Sequence, residues 1–365
     1  MTMNRPRRAL HVCVALVLGG AGLAAAGCGK KATEPANPPP EITGLAAVPA
    51  SAEAVLGADI AKLAGAPVID RAVEQLLLRD RVLGERWGRL KDDCKIDLVK
   101  QVKRVMLAIG PHAGTKPGTG PVLMVVIGSI PESDLKECVA KLVGGGSGAI
   151  TGKPAYGRTL YLAKDGSRAM YFAYGRPDTI VLGSSEEFVT EALSTGAKAA
   201  DNAELAKWLR MVDQNSSLWA VGRIDARVRD GLVQLAAGKL GGGPVALAAT
   251  AELSDGARLQ LAVVMPSADD AGKLESYAKG ELALLTAAAQ WKSLGSVVAK
   301  VAVTADKEIV HLRAPFSVED LNLLLSALDG DSTPAQDSRP SAVPGSDSGP
   351  GSGSGARQGS GSGPT

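Results

Sequence analysis

Aromatic side chains are scarce in this chain of 365 residues, which contains three Phe, five Tyr and four Trp. Carbohydrate sites and single-stranded nucleic-acid platforms depend on stacking against aromatic rings, so this scarcity argues against both classes of ligand. A folded core has to be built from Val, Leu, Ile and Ala instead.

Histidine is also scarce, and of the three in the chain His11 lies in the N-terminal apolar segment. No two histidines have metal-ligand spacing and no Cys-x-x-Cys pair is present, so the sequence predicts no metal site and no cofactor. The body contains no G-x-S-x-G elbow, and we assign no catalytic residue. A hydrolase whose residues meet only in space stays open as an alternative, with His112 or His311 as its base.

Positive and negative side chains are nearly balanced in number. The formal net charge is +2, but Arg5, Arg7 and Arg8 are the only charged residues before position 28, so the chain from residue 28 onward carries a net charge of −1. Nucleic-acid binding calls for a basic patch, and this balance argues against such a partner.

A long hydrophobic run is present only at the N-terminus, where Val12 to Gly27 covers 16 residues. A membrane-spanning helix needs about 20 apolar residues. A basic start, an apolar middle and small residues at the end are typical of a secretory signal, so we predict a signal peptide over residues 1–27. The sequence thus indicates an exported protein.

The end of this run, Leu23-Ala-Ala-Ala-Gly-Cys28, resembles the lipobox of bacterial lipoproteins. The resemblance implies that the Cys28 thiol is acylated, palmitate included, and that the lipid holds the protein on a membrane. Ala25 stands where the family usually has a large aliphatic residue, so an ordinary cleaved signal with an incidental Cys28 is the alternative. Gly29 stands where Asp tends to retain lipoproteins in the inner membrane, which favours the outer membrane.

Composition divides the rest of the chain. Residues 28–44 form a lipidated cysteine and a Pro-rich tether, which we expect to be extended. Residues 331–365 are rich in Gly, Ser and Pro and bury too little apolar surface to fold, so we expect a disordered tail. The body between them is predicted to contain a first half over 45–200 and a second half over 201–330.

Elements recur in the same order in these halves. Each begins with a strand that carries a glycine near its end, Gly57 and Gly222, and a helix follows. Adjacent strand pairs separated by helices favour an α+β fold, so we predict two tandem, similar halves of mostly antiparallel sheet packed with helices. The predicted strands are 54–59, 102–109, 122–127, a pair around Asp165-Gly166, 179–182, 218–224, 245–253, 258–264, 297–303 and 309–312. The predicted helices lie around 69–77, 132–142, 226–240 and 274–289 and begin near 184 and 317.

One part of the body resembles a known group. The segment VPASAEAVLGAD at 48–59, together with CKID at 94–97 and VMLA at 105–108, is similar to exported lipoproteins of myxobacteria and to the opening of the DUF3352 proteins. The resemblance implies no activity and no catalytic residues.

Two cysteines are left in the body once Cys13 and Cys28 are set aside. Cys94 and Cys138 form an even pair in an exported domain, where disulfides persist, and we predict a bond between them. Two unpaired thiols, with Cys138 acting as a small apolar residue, are the alternative.

The absence of site chemistry favours a non-enzymatic envelope lipoprotein that binds or scaffolds an envelope partner at the membrane. A carrier of a lipid or other apolar ligand is the second hypothesis, with the helix Leu274–Ala289 closing a cavity over a sheet. A hydrolase without recognisable motifs is the third.

Overall fold

The computed structural model describes residues 41–111, 120–143, 150–166, 168–236, 239–289 and 294–330. The predicted signal, Cys28, the tail after residue 330 and His112 lie outside these ranges. Within them the chain forms twelve strands and eleven α-helices, and short 3-10 helices lie at Gly44–Ala47 and Ala199–Asp201. The strands are β1 (Ala54–Asp59), β2 (Val102–Ile109), β3 (Val122–Gly128), β4 (Ile150–Ala155), β5 (Arg158–Asp165), β6 (Arg168–Arg176), β7 (Thr179–Gly183), β8 (Leu218–Arg223), β9 (Ala246–Glu252), β10 (Ala257–Val264), β11 (Ala302–Asp306) and β12 (Ile309–Phe316). The helices are α1 (Ile60–Leu63), α2 (Pro67–Arg79), α3 (Arg81–Asp92), α4 (Leu98–Gln101), α5 (Glu132–Leu142), α6 (Glu186–Leu193), α7 (Ala203–Leu209), α8 (Ala226–Leu235), α9 (Ala268–Ala289), α10 (Gly295–Val298) and α11 (Val318–Gly330).

All twelve strands belong to one antiparallel sheet, in the order β11-β12-β10-β9-β8-β1-β2-β3-β7-β6-β5-β4. The predicted α+β fold is confirmed. Strands β1 and β8 pair at the centre, so the two predicted halves share a continuous sheet. Outward from this pair the order β1-β2-β3-β7-β6 has its counterpart in β8-β9-β10-β12-β11. The duplication itself stays a prediction.

One face of this sheet, which we call the covered face, carries the main core. Val55, Leu123 and Val125 alternate inward from the central strands and are fully buried. The helices α6 and α7 pack on them and contribute Leu193 and Trp208. Because aliphatic side chains fill this layer, the shortage of aromatic residues does not prevent a continuous core.

The turn between β9 and β10 contains a position that only glycine fits well. Gly256 has φ +112°, a conformation that side chains disfavour. A Cβ at this position would lie 2.2 Å from the carbonyl oxygen of Phe316. The predicted turn at Asp255-Gly256 therefore also brings β10 close to the end of β12.

The prediction of a strand over 297–303 is wrong for the first residues of that range. Residues Gly295–Val298 form the short helix α10, and β11 begins at Ala302. Val297 is buried, and its amide donates to the carbonyl of Leu294. The β-branched pair Val297-Val298 has strand propensity, but burying Val297 from a helical turn overrides it. The helices α3 and α7 were not predicted.

Candidate functional site: an open apolar groove

The opposite face of the sheet, which we call the open face, is apolar from edge to edge. Side chains alternate between the faces, so every second residue of a strand points to this one. One row across six neighbouring strands consists of register partners: Leu107, Leu56, Ala220, Ala249, Leu261 and Leu312.

Helices cover both ends of this face. At one end α5 packs Val139 against Tyr161 and Phe172, whose rings stack with centroids 4.9 Å apart. At the other end Leu274 of α9 packs against the cluster that contains Val263. No described helix covers the strands between these ends, and Leu56, Leu247 and Leu259 are each about two-fifths exposed.

This uncovered middle forms a groove of about 660 Å³. Alanines such as Ala220 and Ala249 are part of its lining, and Leu107 and Leu312 stand at either side. Thr250 and Gln260 also border it. By strand alternation, however, their side chains belong to the covered face. Small residues between large ones create the depression, and its surface is almost wholly apolar.

The helix expected to close a cavity does not cover this groove. The helix α9 packs Leu274, Ala278 and Leu282 into the cluster at the sheet end. Farther along, Leu284 and Leu285 are exposed. None of the groove's lining residues belongs to α9. The helix is therefore part of the core as far as Leu282, and the groove lies beside it.

Cys94 and Cys138 form a disulfide with their Cα atoms 4.9 Å apart. Cys138 is buried in α5, and Cys94 follows the end of α3. Around them Ile96, Val126 and Ile180 form a second cluster on the open face. The bond thus fastens the end of α3 to the helix that covers this side of the sheet.

A smaller cavity of about 480 Å³ lies beside Trp219 and is also bordered by Asp59 and Arg104. The two charged side chains pair with each other at 3.4 Å. Asp59 also accepts the amide N–H of Lys62 and so caps α1. Both charges therefore already have partners, and their evident role is to hold the start of α1.

Three side chains whose pKa values are shifted have structural roles. The hydrogen bond to Glu132 raises the pKa of Tyr161, and burial raises the pKa of Tyr174, whose hydroxyl donates to the carbonyl of Ile130. Burial lowers the pKa of Lys198, whose amine donates to backbone carbonyls at the end of α6. None of these side chains borders the groove.

Of the two candidate catalytic histidines, only His311 lies in the described part of the chain. His311 lies in β12 and is half-buried, and its strand position places it on the covered face. Among the described residues, no three His, Cys, Asp or Glu side chains are arranged to hold a metal ion. In the same ranges, no helix has both the length and the apolar character to cross a bilayer.

Comparison with known proteins finds a likeness to a solved structure and no match by sequence. No family model matches the chain, and no curated protein matches it. A solved structure described as "Structure of crystal form I of TP0453" has a TM-score of 0.42 and 11% sequence identity, and the match covers 79% of this chain and 98% of that chain.

Proposed function

We propose that this protein is lipid-anchored in the bacterial cell envelope through Cys28, on the outer membrane, and that its groove binds an acyl chain without catalysing a reaction. The anchor is supported by the lipobox resemblance of Leu23–Cys28. The binding activity is supported by the groove itself, an apolar surface that the described helices leave uncovered.

The dimensions of the groove support an acyl chain as its ligand. It crosses six strands, from β2 to β12. With strands about 4.8 Å apart, its length is about 24 Å. The hydrocarbon core of a bilayer is about 30 Å thick, so the chains of one leaflet extend about 15 Å. One acyl chain can lie across the alanines, and the volume of 660 Å³ is typical of a ligand site.

The lining also supports binding without chemistry. Among the described residues, no Ser, Cys, His, Lys, Arg, Asp or Glu borders the groove. A bound chain would meet apolar side chains, and its polar head would have to stay outside. Affinity would then come from burying apolar surface, at about 25 cal/mol per Å². We therefore expect selectivity for an acyl chain rather than for a particular headgroup.

A partner protein is a second occupant that an open sheet face can accept. The concave shape favours the acyl chain, because the short side chains of Ala220 and Ala249 lie between Leu56 and Leu261 in the same row. A flat protein surface would leave that depression unfilled.

The test is binding of a fluorescent fatty acid to the chain from residue 28 onward, with Cys28→Ser to remove the anchor. Replacing Ala220 and Ala249 by Phe places two rings in the depression on the open face. We expect the affinity for the fatty acid to fall about tenfold or more, because less apolar area of the ligand is then buried. Ala283→Phe is the matched control, since Ala283 is exposed on α9 away from the groove. Equal affinity in the filled variant and the control, or no binding by the parent, would show that the groove is not the site.

A further inference from the structure

The connection from β1 to β2 contains a helical hairpin whose aliphatic side chains are exposed. Helices α2 and α3 meet at Asp80, and aliphatic side chains on both sides of this turn face solvent. Leu78 is 77% exposed, Val82 59% and Leu76 53%. With Val73 and Leu83, which are also exposed, they form what we call the hairpin tip.

The base of the hairpin is held at two places. Ile69 of α2 packs in a cluster with Leu218 and Phe316. Leu90 of α3 packs in the cluster around the Cys94–Cys138 bond. Between Asp70 and Arg89, no residue belongs to any apolar cluster of the described ranges. Packing within this body therefore does not account for the aliphatic residues of the tip.

Charged side chains of both signs lie among these aliphatic residues, since the segment 70–86 contains four arginines and four acids and has no net charge. Arg81 pairs with Glu85 at 2.8 Å, but both side chains are mostly exposed, so this pair contributes little. The exposed aliphatic side chains, and not an excess of positive charge, therefore distinguish the tip. Burial of apolar side chains at the headgroup boundary is one way in which a helix binds the interface of a bilayer.

We propose that the hairpin tip docks on the surface of a lipid bilayer, with its aliphatic side chains among the lipid headgroups. This inference rests on the proposed anchoring at Cys28. Glu41 lies thirteen residues after Cys28, and a chain of that length extends at most about 47 Å. The tether thus keeps the body within reach of the bilayer, which favours a lipid surface over a second copy of this chain.

Docking in this way also explains where the hairpin stands relative to the groove. Leu218 and Phe316 hold the base of α2 and also border the groove. Leu218 begins β8, in the middle of the six strands, and Phe316 ends β12, so the hairpin lies along one long side of the groove. A docked tip brings that side towards the bilayer, from which an acyl chain can enter.

Flotation with vesicles tests the docking separately from anchoring and from ligand binding. The protein is the chain from residue 28 to 365 with Cys28→Ser, which keeps every described element and removes the lipid. Vesicles of phosphatidylethanolamine with phosphatidylglycerol are compared with vesicles of phosphatidylcholine alone. We expect binding to both kinds of vesicle, because the aliphatic side chains of the tip insert whatever the headgroup charge, and we expect Leu78→Asp with Val82→Asp to weaken it about tenfold or more because their insertion is lost.

The matched control is Leu284→Asp with Leu285→Asp, two exposed leucines of another helix, which we expect to leave vesicle binding unchanged. Fatty-acid binding should be unchanged in both variants, which separates this test from that of the groove. Three results would overturn the docking: a parent that does not float with vesicles, equal loss in the hairpin and control variants, or sedimentation showing dimers that the hairpin variant abolishes.

Discussion

The indole of Trp219 occupies the space that a side chain at position 57 would need. Gly57 of β1 and Trp219 of β8 are register partners at the central strand pair. A Cβ built on Gly57 would lie 2.2 Å from the Cε2 and Nε1 atoms of the ring. The buried ring thus crosses from one predicted half to the other, and the absence of a side chain at Gly57 makes this possible.

Gly57→Ala should therefore destabilise the protein. The added methyl group overlaps a buried ring, and overpacking of this kind costs about 1–3 kcal/mol. Gly88→Ala is the control, because nothing lies within 4 Å of a Cβ at Gly88 and that residue is within α3. The control should gain up to about 1 kcal/mol from helix propensity. Urea unfolding measures both, and equal midpoints for the two variants would contradict the packing described.

Loss of the Cys94–Cys138 bond should lower stability by about 4 kcal/mol in the chain-entropy model, since the bond closes a loop with a sequence separation of 44 residues. Cys94→Ala with Cys138→Ala is compared with the parent in the presence and absence of reductant. Reductant should lower the unfolding midpoint of the parent alone. Two free body thiols in the denatured, unreduced parent would rule out the bond.

Acid should weaken the attachment of α11. The Asp320 carboxylate pairs with Lys300 and accepts the amide of Ser317 at 2.7 Å, and these contacts lower the pKa of Asp320 below its usual 3.8. The folded state then binds its proton less readily than the unfolded state. This contribution to stability is fully present above the unfolded pKa and is lost as pH falls through the folded pKa.

The measurement is the free energy of unfolding as a function of pH. Asp320→Asn should be less stable than the parent at neutral pH, and the gap should close as the pH falls below the usual aspartate range. A gap that is constant at all pH values would show that the charge of Asp320 contributes nothing.

Cys28→Ala should convert a membrane protein that needs detergent into one that a high-salt wash releases. An acyl chain contributes about 0.8 kcal/mol per buried CH₂, and several chains together anchor stably. Cys13→Ala, within the predicted signal, is the control and should leave the need for detergent unchanged. If the Cys28 variant still required detergent, the proposed anchor would be wrong.

Much of the secondary structure followed from short-range patterns. The segments 54–59 and 102–109 were predicted as strands with their present bounds, and a helix was expected to begin near 184, where Ser185 accepts the amide of Phe188 and caps α6. The helix α3 was missed because its sequence is rich in charge and low in mean hydropathy, and none of its residues is buried. The start of β11 was misplaced because the strand propensity of Val297 was outweighed by burial in a helical turn.

The groove could not have been predicted in the same way. Val55 and Leu56 are neighbouring aliphatic residues, yet Val55 is 0% exposed and Leu56 is 40% exposed. Alternation along a strand places them on opposite faces, but both faces are apolar, so the sequence does not tell which face is covered. The hairpin tip is a similar case, since Leu76 has the spacing of a core residue and is instead exposed.

By itself the sequence determined the strands and helices of an α+β body, because hydrophobic period and turn residues act over a few positions. It also contains the signal and the cysteine on which the proposed anchor depends. Tertiary structure alone decided that β1 and β8 join the halves and that α5 and α9 cover only the ends of the open face. Those outcomes depend on contacts between residues far apart in the chain, since helices of fixed length can cover only part of a sheet twelve strands wide.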